Sequence, residues 1–114
     1  MLPRENRMRR SSEFASVVRS GDRARRGHVV VHRHSSLRRG GPVVVGLVVG
    51  KSVGGSVARH QVSRRLRAKL AQRLDVLAQG AGFVVRALPG SAEVTSAELG
   101  ADLDAALSRL ERSR

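Results

Sequence analysis

The chain has 114 residues, no cysteine, only two aromatic residues (both Phe) and a formal net charge of +13. That length supports one domain rather than two, and the missing cysteines exclude disulfides and thiolate metal sites. No run approaches the ~18 apolar residues of a membrane helix, and the basic N-terminus lacks the apolar stretch of a signal peptide, so a cytoplasmic protein is expected.

The charge is unevenly spread. Residues 1–80 hold 18 Lys and Arg against four Asp and Glu, whereas residues 81–114 hold four against five. A polyanion partner is implied, contacted through the first two thirds of the chain. Arg outnumbers Lys 20 to 2, and Arg forms planar bidentate contacts with phosphate and stacks on bases, which suits RNA.

Residues 1–10, MLPRENRMRR, form a basic N-terminal segment expected to be extended. Ser11 or Ser12 can cap a short helix running to Ser20. Phe14, Val17 and Val18 give that helix one apolar face, and Gly21 ends it. Arg23 to Arg26 reads as a short edge strand. In His28 to His34, alternation puts His28, Val30, His32 and His34 on one side and Val29, Val31 and Arg33 on the other. Ser35 to Pro42 is a turn. Val43 to Gly50 is apolar on both sides, so a central strand covered by helices is expected.

Lys51 to Gly55 is a glycine turn. The helix after it carries Val62, Leu66, Leu70 and Leu74 every four residues, with Leu77 extending the stripe. At about 100° per residue these positions span roughly 120° of the circumference. His60, Gln61, Ser63, Arg64, Arg65 and Arg67 point away from the stripe. Arg59 falls near it by angle but lies in the first turn, where it can reach past the helix end. Gly54 and Gly55 allow close backbone approach, and the free N–H groups after them favour phosphate. Gly80 to Gly82 breaks the chain, Phe83 to Leu88 is a further strand, and Pro89-Gly90 ends it. Thr95 and Glu98 have capping-box spacing; Leu99, Leu103, Ala106, Leu107 and Leu110 then form the apolar face of a C-terminal helix. The predicted class is α+β: one two-layer domain, residues 1–114, in αβββαβα order, with a mostly central four-stranded sheet packed by helices.

No catalytic constellation is evident in the protein. Five of the nine carboxylates follow residue 90, and no serine triad, phosphate loop or metalloprotease helix can be read. His28, His32 and His34 share a strand face, but without Cys or a nearby acid they do not suggest a metal site.

The ordered features resemble the protein component of bacterial ribonuclease P over nearly the whole chain. Asn6-Arg-Met-Arg-Arg followed by Glu13-Phe14 is similar to the family's basic N-terminal segment and first-helix phenylalanine. Val45 to Lys51 resembles its strand leading into a lysine. Val53-Gly54, Val57 and Arg59 fall on its glycine turn, and Arg59 to Arg67 on its arginine-rich helix. That helix usually opens Arg-Asn-Arg; here it reads Arg59-His60-Gln61. Ser63 stands where a lysine is often seen, Val18 replaces a second aromatic, and His32 replaces a tyrosine.

The resemblance implies a non-catalytic subunit of an RNA-based endoribonuclease. The catalytic RNA subunit uses Mg2+, and the protein helps bind metal ions and the 5′ leader of precursor tRNA. Lys51, Arg59, His60, Arg64, Arg65 and Arg67 would then face the catalytic RNA. Phe14, Val18, Val30 and His32 would line a leader groove. No membrane association or obligate protein partner is expected. A ribosomal or other structural RNA-binding protein would share the charge but has no reason to carry this glycine turn and element order. A DNA-binding transcription factor would usually show a helix-turn-helix pair or a dimerisation face.

Overall fold

The computed structural model describes residues 2–112; Met1 of the basic segment and the last two positions of the expected 1–114 domain lie outside the described residues. Three helices and four strands follow in the order α1 (Ser11–Ser20), β1 (Asp22–Arg26), β2 (Val29–His34), β3 (Val44–Val48), α2 (Ser56–Ala71), β4 (Gly82–Ala87) and α3 (Ser96–Arg112). The strands form one mixed sheet in the order β1-β2-β4-β3, with β3 and β4 parallel and the other pairs antiparallel. The expected α+β class and element order are observed.

Alternation divides the sheet into two faces. Ala24, Val29, Val31, Val45, Phe83, Val85 and Ala87 join Val62, Leu66 and Leu70 of α2 and Leu99, Leu103, Ala106 and Leu110 of α3 in the main core. The opposite face builds a smaller cluster, Val44 and Val84 with Met8 and Val17, against which Phe14, Leu37 and Val48 pack. Helix α1 therefore adds a short third layer to the two expected.

Several local expectations are corrected. The segment Val43 to Gly50 is not a central strand, since β3 lies at the end of the sheet order. It is apolar on both faces because helices lie on both faces, and its free edge is taken by the N-terminal segment. That segment is not simply extended: Arg4–Asn6 forms a 3-10 turn, the Asn6 side chain donates to the Val43 carbonyl at 2.8 Å, and the Met8 N–H donates to Val45 at 2.9 Å. The edge of β3 is thereby occupied at Val43 and Val45, which blunts it as a template for pairing. Neither Ser11 nor Ser12 caps α1. With Met8 pinned to β3, the chain turns into the helix at Arg10, and no side chain caps it. Helix α2 stops at Ala71 rather than running through Leu77. The Arg73 side chain takes the Lys69 carbonyl at 2.6 Å and holds the Asp104 carboxylate of α3, and Leu74–Val76 becomes a 3-10 turn. Leu74 and Leu77 remain partly buried against the core.

His28 lies in the β1–β2 turn rather than in the strand. Its N–H donates to Asp102 of α3 at 3.0 Å. Gly27 has φ +53, and a side chain there would collide with the Asp102 carboxylate. The capping box of α3 forms as expected: the Glu98 N–H donates to Thr95 Oγ1 at 3.1 Å, and the Thr95 N–H donates to Glu98 Oε1 at 3.3 Å.

Phe14 has its place because Gly46 has no side chain; a Cβ on Gly46 would collide with the Phe14 ring. Gly46→Ala is expected to destabilise the fold by about 1–3 kcal/mol through overpacking. Combined with Phe14→Leu, it should cost less than the sum of the single changes by about 1 kcal/mol. Urea unfolding of the four proteins checks this; strict additivity would mean that the two groups do not press on each other.

Candidate nucleic-acid interface

The sheet face carrying α1 is only partly covered. Strand register aligns Arg23, His32, Val84 and Gly46 in one row across the sheet, and Arg25, Val30, Arg86 and Val48 in the next. Phe14 and Val17 of α1 cover Gly46, Val44 and Val84. The row containing Val30 and Arg86 forms the floor of a groove that α1 walls on one side. Phe14 is half-buried, and Val18 is 44% exposed at the wall. Arg23, Arg25 and Arg86 are exposed, whereas Val30 and His32 lie low between them. All four expected groove residues, Phe14, Val18, Val30 and His32, thus belong to one side of the sheet.

His32 is 6% exposed, and its Nδ1 is buried without a hydrogen-bond partner. Burial, reinforced by the positive charge of Arg23 and Arg86, holds its pKa below the ordinary histidine value, so the ring favours its neutral form. A neutral imidazole thus lies beneath the two guanidinium groups, and the arginines supply the surface charge.

The second basic surface is the start of α2. Lys51 is exposed in a 3-10 turn, Lys51–Val53, anchored by buried Val53. Gly54 follows with φ +151, and Gly55 leads into the helix with no side-chain cap and no acid in its first turn. The free N–H groups of this helix end can therefore meet phosphate. Arg59, His60 and Arg67 line a shallow recess of about 320 Å³ together with Val49, Ser56 and Ser63. Arg64 is exposed. Arg65 is half-buried and donates Nη1 to the Val94 carbonyl at 3.1 Å, which ties α2 to the loop before α3. Arg59 is half-buried as well, and its Nε has no partner. The six candidate contacts to RNA are therefore not equivalent: Lys51, His60, Arg64 and Arg67 are exposed, Arg59 is half-buried with its Nε unpartnered, and Arg65 is engaged with the fold.

Two basic features went unread in the sequence. Arg23, Arg25 and Arg86 edge the groove; Arg86 was legible, because it is out of phase with Phe83, Val85 and Ala87 in its strand. Arg4, Arg7, Arg9, Arg10 and Arg38 line an open depression of about 510 Å³ with Glu5. Arg38 comes from the β2–β3 loop and is fixed there by Glu13, whose two carboxylate oxygens accept from it at 2.7 and 2.8 Å. That pair holds the Glu13 carboxyl below the usual carboxylate range. No sequence signal links residues so far apart.

Among the described residues, no three His, Asp or Glu side chains come together as a metal-binding group. His28 meets Asp102, with Nδ1 and Oδ2 3.4 Å apart, and Ser91 lies in the nearby loop. The Ser91 hydroxyl is fully buried and has no hydrogen-bond partner, so these three residues do not form a nucleophile–base pair.

A sheet face rimmed by arginines, next to a helix that presents guanidinium groups and free N–H groups, has the character of an RNA-binding protein. The comparisons with known proteins narrow this class. The ribonuclease P family model matches residues 2–111. The chain is 49% identical to the ribonuclease P protein component of Streptomyces bikiniensis, over 96% of this chain and 95% of that one. Its identity to the component from Beutenbergia cavernae is 52%, over 96% and 92%. The fold matches the RNase P protein of Staphylococcus aureus with TM-score 0.81 at 17% identity, covering 90% of this chain and 93% of the other. It matches that of Thermotoga maritima with TM-score 0.77 at 20% identity, covering 95% and 97%. The chain belongs to the bacterial ribonuclease P protein family.

The His32 environment fixes a pH dependence. Because the folded-state pKa is lowered, the unfolded chain binds more protons between that value and about 6.5. Stability is therefore complete above the ordinary histidine range and falls as pH drops through it. Urea unfolding across this range should show that fall in the parent protein and a flatter profile in His32→Gln. Parallel profiles would mean that the ring titrates as if exposed.

Proposed function

We propose that the chain is the subunit of ribonuclease P that binds the 5′ leader of precursor tRNA in the α1–sheet groove and the catalytic RNA through the start of α2. In this assembly the RNA carries out Mg2+-dependent hydrolysis of one phosphodiester, releasing the leader and leaving the mature tRNA 5′ end. The observation that carries the reading is the set of exposed arginines, Arg23, Arg25 and Arg86, on the sheet face beside α1. Between them Val30 and His32 are apolar or neutral, and the surrounding rim is cationic. Such a groove suits a single strand of any sequence.

The roles divide by surface. Phe14 and Val18 offer apolar contacts to leader bases, Val30 and His32 form the floor, and Arg23, Arg25 and Arg86 neutralise leader phosphates. Lys51, His60, Arg64 and Arg67 face the catalytic RNA, with Arg59 beside them at the first turn. Arg65 positions the helix. Mg2+ is assigned to sites made by RNA phosphates, where neutralisation by the protein's arginines lowers the repulsion between the two RNA molecules. A cytoplasmic location follows from this role.

Phe14→Leu keeps most of the apolar volume and removes the ring. It should weaken binding of leader-bearing precursor tRNA by roughly 1–3 kcal/mol and leave mature tRNA and the catalytic RNA bound as before. Equal losses for leader-bearing and mature tRNA would remove the leader from this groove. Affinity for the catalytic RNA should fall linearly with salt on logarithmic axes, with a slope of about −0.7 per neutralised phosphate. Replacing Arg64 and Arg67 together by Ala should make that slope shallower; an unchanged slope would show both to be solvated bystanders.

A further inference from the structure

The face opposite the groove holds a cleft that neither RNA surface uses. It has a volume of about 520 Å³ and lies between the Leu74–Val76 turn, the C-terminal half of α3 and the sheet. Leu77, Phe83 and Leu107 supply apolar lining, and the Arg73–Asp104 pair joins α2 to α3 beside it. Arg33 lines it too, although its strand position places it in the phase of the core residues Val29 and Val31. A guanidinium on the core face of a sheet needs acceptors. Arg33 has one, Asp22, at 3.0 Å from Nη2, while its Nε is buried without a partner and the residue is only 9% exposed. The acids lining the cleft are Asp104, already held by Arg73, and Glu111, exposed on α3.

We propose that this cleft binds a guanine base. Leu77, Phe83 and Leu107 offer apolar side chains on which an uncharged flat ring can pack. It must present an acceptor to Arg33 on one edge and donors to Glu111 on another. Guanine has O6 and N7 acceptors side by side and N1–H and N2–H donors on a separate edge. Adenine places an amino donor beside N7, where it opposes an arginine. The group inside the cleft is uncharged, because Asp22, Asp104 and Glu111 balance Arg33 and Arg73 and leave no net positive charge; a phosphate attached to the base must lie outside it. The base can come from an unpaired guanosine of an RNA strand or from a free guanine nucleotide. The site stands apart from the leader groove, since Arg33 and His32 point to opposite sides of β2.

NMR titration of the whole protein with GMP, with AMP as control, tests this. GMP should saturably shift the Leu77, Phe83 and Leu107 resonances, with AMP about tenfold weaker. Glu111→Gln alters an exposed residue and should leave the fold intact while reducing the preference for GMP. Arg33→Met should abolish binding, and if it unfolds, the Glu111→Gln result decides. A hairpin RNA with one unpaired guanosine that shifts the same three residues identifies RNA as the source, and a response to GMP alone identifies the free nucleotide; either supports the site. Equal response to GMP and AMP, shifts confined to the basic groove and α2, or an unchanged preference in Glu111→Gln would overturn it.

Discussion

Unequal helical cover of one sheet is the constraint on which the interface depends. One face packs against α2 and α3, of 16 and 17 residues, while the other receives only α1, of 10. A ten-residue helix is about 15 Å long and about 10 Å across, which is too little to cover four strands. The part beyond α1 must then be screened by residues that tolerate water, and exposed Arg25 and Arg86 flank the buried His32 and Val30 there. The main core, with its long leucine side chains, makes this economy possible because it provides most of the burial. The small cluster under α1 has only to fix the helix, and it does so by pressing Phe14 onto the bare backbone of Gly46.

Placement of the few acids decides which arginines are free. Glu13 is spent on Arg38, Asp104 on Arg73, and Asp22 on Arg33. Each of these pairs joins two elements and leaves the groove rim and the open face of α2 without an internal counter-charge. Arg65 differs from its neighbours Arg64 and Arg67 because its position, about 100° around the helix from Arg64, brings it beside the loop before α3, where a backbone carbonyl occupies it. Charge number alone would treat all three alike.

The fold was legible where a segment's own pattern determines its partner face. The alternation of Val29 to His34, the stripe of Val62, Leu66 and Leu70, and the Thr95–Glu98 cap are local, and all appear as read. The misreadings are tertiary. A strand apolar on both sides looks central whether strands or helices cover it, so β3 was placed inside the sheet. Helix α2 ends where Arg73 reaches Asp104, thirty-one positions away, and periodicity through Leu77 cannot register that contact. In the candidate site, Phe14, Val18, Val30 and His32 could be grouped from their spacing and from family resemblance. The depression lined by Arg4, Arg9, Arg10 and Arg38 could not, because it exists only once Met8 is hydrogen-bonded to β3.

The account's central claim is that this chain supplies binding surfaces and the RNA supplies the chemistry. The most direct measurement is cleavage of precursor tRNA by the cognate RNA subunit at a Mg2+ concentration too low for that RNA to act alone. The account predicts that adding the protein restores cleavage at the mature 5′ end, and that the protein without RNA leaves the substrate intact. Cleavage by nuclease-treated protein alone, or no stimulation of the RNA, would contradict it.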